Sequence, residues 1–313
     1  MTDRASHFEG CLLGVMVGDS LGSRVENASA AMIRHRHRDE DEMRALRPGP
    51  YGSATEMTLA LAEALAEDPK FDGDAFARRV VARHHEARIY GQGTSLAIAR
   101  LRAGYDWRDA GSGHGRGSYG NAAAVRSAPI GLMFGHDVDQ LRWVAEEAAG
   151  VTHTHAFAVE GAVLFALGVA AALSARGSAL DPLDFLDAVA AEVHTREYRT
   201  HIETAQAIVQ RPWDGGIVVA RLGNNQTALG SVVTSMVCFA SHPASFSDAV
   251  RAAVALGGNA SSIVAMTGAL AGAFHGADDI PPVWIDALEN ADITAETMRA
   301  AGRTLEALTR SIE

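Results

Sequence analysis

The chain has 313 residues, of which 48% are hydrophobic and 21% charged, with a formal net charge of −11. That length supports a sizeable buried core, the composition excludes wholesale disorder, and an acidic balance without a basic stripe argues against nucleic acid as a partner. Its two cysteines, Cys11 and Cys238, lie among apolar neighbours without metal spacing, which excludes a disulfide scaffold and leads us to expect a reducing, cytoplasmic setting.

The opening MTDRASHFEG is polar and mixed in charge, unlike a signal peptide. Gly10, Gly14, Gly18 and Gly22 follow at intervals of four. On a helix they share one face, where missing side chains let another backbone approach. Asp19 and Glu26 bracket the end of that helix, in GDSLGSRVE, and Glu26 is placed to project its carboxylate into a cleft. The run RHRHRDEDE, Arg34 to Glu42, nearly balances its own charges and reads as a solvated loop or helix face.

Apolar residues at spacings of three and four predict helices near 56–67, 73–87, 138–149, 156–175, 181–195, 229–241, 246–256, 262–274 and 295–312. GGIVVARL, near 215–222, is ambiguous between helix and strand. Adjacent His84 and His85 read as surface groups. The apolar run from Ala162 to Leu173 is shorter than the ~20 residues of a membrane span, so no membrane partner is expected. Gly268, Gly272 and Gly276 repeat the four-residue glycine spacing near the other end. Glycine and proline punctuate between helices and no linker divides the chain, so the expectation is an all-α fold in a single domain over 1–313.

Three polar clusters could carry chemistry. GHGRGSYGN, residues 113–121, offers the backbone N–H groups of Gly115, Gly117, Ser118, Tyr119, Gly120 and Asn121 to phosphate oxygens, with Arg116 adding positive charge. In VTHTHAFAVEGA, His153 and His155 lack a third ligand for zinc and read as hydrogen-bonding groups at a helix start. Two segments are built like metal-holding helix starts but lack the oxygens: YGSATEM opens with Gly52, Ser53 and Ala54, and LGGNASS offers Gly258, Asn259, Ala260, Ser261 and Ser262. A hard dication wants carboxylates, and neutral hydroxyls and one amide supply no charge. Tight metal binding by the free protein is therefore not expected; magnesium enters only if substrate phosphates supply ligands.

Taken together these segments resemble the ADP-ribosylglycohydrolase family, the DraG-like ADP-ribosyl-acceptor hydrolases. GCLLGVMVGDSLGSRVE looks like the opening helix, GSYGNAAAVRSAPIG the phosphate loop and THTHAFAVEGA the histidine-bearing helix start. LGGNASSIVAMTGALAGAFHGADDIPPVW looks like the C-terminal metal motif, and IYGQGTSLA, with Gly91, matches a tyrosine-glycine segment. The matches run in order from about residue 8 to 290. The resemblance implies an orthogonal all-α fold and a cleft that binds ADP-ribose beside two magnesium ions. It also implies hydrolysis of the glycosidic bond at the ribose anomeric carbon. Glu26 matches the glutamate next to the scissile bond. Ser118, Tyr119, Gly120 and Asn121 match the loop around the phosphates and ribose, and His153 a histidine near them. An aromatic residue often found before that loop is Gly113 here. The Thr-Asp-Asp of the second helix is Gly52-Ser53-Ala54, and the Asp-x-Asp-Thr near the C-terminus is Asn259-Ala260-Ser261-Ser262. Both metal motifs are degenerate.

Two functions compete. One is a metal-independent N- or O-ribosyl hydrolase of an ADP-ribosyl or nucleotide-like substrate, with Glu26 and Glu56 as its carboxylates. Glu56 shares a helix face with Ser53, and paired carboxylates can divide acid and base roles. The other is an inactive family member that binds ADP-ribose or a related nucleotide. A purely structural role gains little support, since Glu26, the glycine loop and His153 occur together.

Overall fold

The computed structural model of the protein describes residues 4–36, 42–43, 45–113 and 115–313. Its first helices are α1 (Arg4–Gly22), α2 (Ala30–Arg36), α3 (Ser53–Glu67), α4 (Gly73–Arg83), α5 (Gln92–Arg102) and α6 (Trp107–Ala110). There follow α7 (Ala122–Val125), α8 (Ala128–Phe134), α9 (Val138–Gly150), α10 (Ala156–Ser174), α11 (Pro182–Ala190) and α12 (Arg196–Val209). The chain ends with α13 (Gly215–Leu222), α14 (Val232–Ala240), α15 (Phe246–Leu256), α16 (Ala260–His275), α17 (Pro282–Ile285) and α18 (Ala295–Ile312). The fold is all-α. Among the described residues extended pairing is limited to two isolated antiparallel bridges, Ser29 with Gly257 and Gly120 with Thr227.

Helices α1 and α16 form the centre, and their glycines explain how. A Cβ on Gly14 would stand 2.1 Å from the Gly268 carbonyl oxygen, and one on Gly18 2.2 Å from that of Val264. Gly272 returns the contact, 1.9 Å from the Gly10 oxygen. Each glycine in a helix interior costs roughly 0.5–1 kcal/mol against alanine, and here close backbone packing offsets it. Around this pair α18 lies against α1, with Gly302 facing the Phe8–Glu9 backbone, while α14 and α15 cover α16. One apolar cluster runs from Phe8 to Leu305.

Helix α10 is longer than the apolar run read from the sequence. By length and composition it could cross a membrane, yet 72% of its most apolar window is buried inside the fold. GGIVVARL is helical, started by Asp214, whose side chain accepts the N–H groups of Gly216 and Ile217. Three predicted helices are shorter than their periodicity implied, the one expected at 229–241 spanning Val232–Ala240. The segment 181–195 divides at Ala191–Thr195, because Glu160 of α10 accepts the N–H groups of His194 and Thr195. The segment 73–87 ends at Arg83, where the chain turns toward Glu56. Arg34, His35 and Arg36 end α2 exposed, as a solvated face requires, whereas residues 37–41 of the charge run lie outside the described residues. Most well-capped starts use a side chain on the first turn, as at Asp72, Asp137, Asp181, Ser245 and Thr294. The caps of α3, α5 and α16 are Gly52, Gly91 and Asn259, and none supplies a side-chain bond to its helix.

Candidate active site

Glu26 lies in the turn that follows α1, and both of its oxygens are engaged. Asn259 Nδ2 donates to Oε1 at 2.8 Å, and the Ser261 N–H donates to Oε2 at 2.7 Å. The carboxylate thus sits at the positive end of α16, where a negative charge is stabilised. The neighbouring backbone fixes this geometry. Gly257 and Gly258 take φ of +66° and +69°, conformations that glycine adopts freely, and a side chain on Gly258 would strike the Asn224 carbonyl at 2.2 Å. The Asn27 N–H donates to the Gly258 carbonyl and the Asn259 N–H to that of Asn224, both at 2.8 Å.

From Asn259 the network reaches the glycine-rich loop. Asn121 Nδ2 donates to Asn259 Oδ1 at 2.8 Å and to Ser231 Oγ at 3.1 Å. The Asn121 N–H donates to the Gln226 carbonyl at 3.0 Å, and the Tyr119 carbonyl accepts the Ala228 N–H at 2.9 Å. Gly115 and Gly117 both have positive φ. Gly117 also packs where a Cβ would meet Thr154 Oγ1 at 2.3 Å. The Gly120 N–H reaches Ser118 Oγ at 3.3 Å. Tyr119 is half exposed at the rim, edge-on to His155. His114 of this loop lies outside the described residues.

The two histidines have separate tasks. His155 caps α10, its Nδ1 accepting the Phe157 N–H at 3.2 Å. His153 is buried, with Nδ1 2.6 Å from Thr152 Oγ1. Its Nε2 faces Gly120, where a Cβ would stand 3.2 Å away. The segment that carries His153 is tied down by Arg126, a buried guanidinium that donates to the carbonyls of Ala148 and Ala149. Burial without a carboxylate partner lowers the Arg126 pKa to about 9.

Glu56 is completely buried, and its carboxylate is held by the loop after α4. His85 Nδ1 lies 2.6 Å from Oε1, the Tyr90 hydroxyl donates to Oε2, and Arg88 Nε is 4.0 Å away. His85 is thereby a bridging group rather than a free surface residue, since its Nε2 is 3.1 Å from Asp292 Oδ2. Burial and the bond to Glu56 push the Tyr90 hydroxyl well above its usual range. Gly91, beyond this loop, is exposed and has open space at its Cβ position.

Asp19, buried beneath Glu26, caps α3. Its Oδ2 accepts the N–H groups of Gly52 and Thr55 and the Thr55 hydroxyl, at 2.7, 3.0 and 2.7 Å. Oδ1 is buried without a partner. Burial raises its pKa to about 6, against three hydrogen bonds that pull the other way, with the charge of Glu26 as a smaller upward push.

Ser53, Ala54 and Ser262 line a narrow cavity together with Met57, Thr94 and Ala122. Its volume is about 20 Å³, room for about one water-sized species. No carboxylate borders it. Both oxygens of Glu26 are already bonded, and among the described residues no group of three or more His, Cys, Asp or Glu could hold a metal ion. Hard dications select several oxygen ligands, usually with carboxylates among them, so these residues do not fit the two magnesium ions that the resemblance implied.

Sequence reading missed four contributors: Asp19 as a cap, Asn224 and Ser231 as supports of Asn259 and Asn121, and Thr94 in the cavity wall. The turn-forming run Asn224-Asn225-Gln226-Thr227 was the available signal for Asn224.

Comparison with known proteins places this arrangement. The ADP-ribosylglycohydrolase family model matches residues 1–312. The ADP-ribosylhydrolase ARH3 of Danio rerio is 30% identical over 327 residues, covering 92% of this chain and 87% of that protein. The ADP-ribosylarginine hydrolase Tri1 of Pseudomonas putida is 29% identical over 299 residues, covering 91% and 74%. A solved structure described as an ADP-ribosylglycohydrolase-related protein complex superposes with a TM-score of 0.76 at 27% identity, covering 99% of this chain and 100% of that one.

Proposed function

The chain belongs to the ADP-ribosylglycohydrolase family, and from that premise we propose that it hydrolyses an N- or O-ribosyl bond of an ADP-ribosyl or related nucleotide-like substrate without the two magnesium ions. The observation that carries this reading is the carboxylate of Glu26, held at the start of α16 by Asn259 and Ser261 and joined through Asn121 to the glycine loop.

Cleavage at the anomeric carbon passes through an oxocarbenium-like state, which a fixed carboxylate stabilises. Water supplies the oxygen that bonds to that carbon, and the leaving nitrogen or oxygen departs with a proton. Glu26 is the group in this cleft able to stabilise the cation or to take a proton from the water. The N–H groups of Gly120 and Asn121, expected to face phosphate, are taken by Ser118 Oγ and the Gln226 carbonyl, which leaves those of Gly115, Gly117, Ser118 and Tyr119 for the diphosphate, and Tyr119 at the rim offers an aromatic face. Glu56 holds the loop from His84 to Tyr90 in this reading, and the reaction falls to Glu26 alone. A cytoplasmic location and a small-molecule or ADP-ribosylated substrate complete the proposal.

The test pairs turnover with binding. In EDTA, Glu26→Gln is expected to lower kcat by roughly 10²–10⁴-fold, while calorimetry finds ADP-ribose bound about as tightly as by the unaltered protein. Wild-type binding without any turnover of ribosylated arginine, serine or small ribosides would make the protein a binder and overturn the hydrolase reading. Binding that requires magnesium would overturn metal independence.

A further inference from the structure

Residues 84–91 join α4 to α5 and are fastened by ionic contacts rather than by apolar burial. No residue in this segment is fully buried, Ile89 is 89% exposed, and Tyr90 alone packs against the apolar cluster. A segment with so few apolar contacts opens at a lower free energy than the core. The fastening centres on His85. Its Nδ1 lies 2.6 Å from Glu56 Oε1 of α3, and its Nε2 lies 3.1 Å from Asp292 Oδ2, in the segment ahead of α18. A neutral imidazole has one N–H and one lone pair. A lone pair facing a carboxylate oxygen is repelled, so both contacts are favourable only when both ring nitrogens carry protons.

The other charges around the ring are already matched. Arg83 of α4 pairs with Glu63, and Arg88 of the strap pairs with Glu289 at 2.9 Å and donates to the Tyr51 carbonyl. Arg83 also lies within the fields of Glu56 and Asp292. The Tyr90 hydroxyl, which donates to Glu56, stays neutral. His84 and Glu86 turn to Arg102 of α5. What this strap holds is a wall of the cleft. Helix α5 begins directly after it, and a Cβ on Gly93 would stand 2.3 Å from Ser118 Oγ of the glycine loop. Farther along α5, Arg100 Cδ would be 2.6 Å from a Cβ on Gly113. Two points of α5 thus brace the glycine loop.

We propose that residues 84–91 form a proton-operated strap: the His85 imidazolium bridges Glu56 and Asp292 and holds α5 against the glycine loop, and loss of one ring proton frees it. Histidine is the side chain that ordinarily exchanges this proton between pH 5 and 8, so the strap is closed at the acidic end of that range and looser at the other. The effect on ligand affinity rests on the reading that the glycine loop receives a diphosphate. The strap itself does not.

The experiment is hydrogen–deuterium exchange of the full chain at about pH 5.5 and about pH 8, with each rate expressed against its intrinsic rate at that pH. The hydrogen-bonded amides of His85, Arg88 and Ser95 report on the strap and the start of α5. Their protection is expected to fall roughly fivefold at the higher pH, while amides of α10 keep theirs. His85→Gln is expected to remove the pH dependence. Asp292→Asn, whose amide donates to the lone pair of a neutral imidazole, is expected to keep the strap protected at the higher pH. Equal protection of the parent at both pH values would overturn the proposal, as would a fall that persists unchanged in both variants. Calorimetry with ADP-ribose in EDTA at the same pH values reads the consequence. Affinity is expected to weaken roughly fivefold at the higher pH in the parent and not in His85→Gln. Affinity that stays constant while the strap opens would overturn its hold on the cleft. Absence of ADP-ribose binding at either pH would defeat the ligand reading, and exchange alone would then decide the strap.

Discussion

Asp19 holds its proton across a range of pH in which an exposed aspartate has lost it, because burial outweighs its three hydrogen bonds. The folded pKa, about 6, lies above the ordinary value of 3.8. Between those values the native state binds more protons than the unfolded chain, so the Asp19 contribution to stability falls as pH rises through the window and then levels. Asp19→Asn keeps an acceptor toward Gly52 and Thr55 and carries no charge. At pH 7 it is expected to be more stable than the parent by on the order of 2–3 kcal/mol, with the difference vanishing near pH 4. Urea unfolding of both proteins from pH 4 to 7 checks this; parallel curves would show that Asp19 does not titrate in the window. The role of Asp19 was only half visible in the sequence, where GDSLGSRVE marked it but not the helix it caps. Glu56 was visible as a carboxylate near Ser53. The bonds that occupy it come from His85 and Tyr90, about thirty residues on, and no local spacing encodes them.

At the scale of elements, periodicity located the helices that bury a broad apolar face and misjudged those whose ends depend on distant groups. The break between α11 and α12 is set by Glu160 capturing two N–H groups, a long-range contact without a local signature. Helix α5 escaped detection because charged and polar residues cover much of it. The glycine ladders of α1 and α16 were legible, since a spacing of four on two apolar helices has a direct packing meaning. Gly14→Ala is expected to destabilise by about 3 kcal/mol or more, because its Cβ would meet backbone rather than a movable side chain. Gly150→Ala is the contrast. Nothing stands within 4 Å of its Cβ position, and the change is expected to be neutral or to stabilise by about 0.4–1 kcal/mol. Equal melting temperatures for the two variants would contradict the ladder's role.

Across the whole molecule, the site draws Glu26, Asn121, Ser231 and Asn259 from four separate stretches of chain. Order in the site therefore depends on the entire core, and ligand binding should stabilise the global fold. ADP-ribose at 100 times its Kd is expected to add about 2.7 kcal/mol, read as a higher melting temperature in EDTA. A rise seen only with magnesium would contradict the metal-free site. The ladder also has a mechanical meaning. The carbonyls of Ala260, Val264, Gly268 and Gly272 occupy the notches left by Gly22, Gly18, Gly14 and Gly10, as teeth engage in a rack. Sliding by one residue would drive side chains into backbone, so the two halves of the site, Glu26 beyond α1 and Asn259–Ser262 at the start of α16, are indexed to each other. A single residue inserted between Gly14 and Gly18 would rotate the later notches by about 100°, disengaging the rack and turning Glu26 away from its partners.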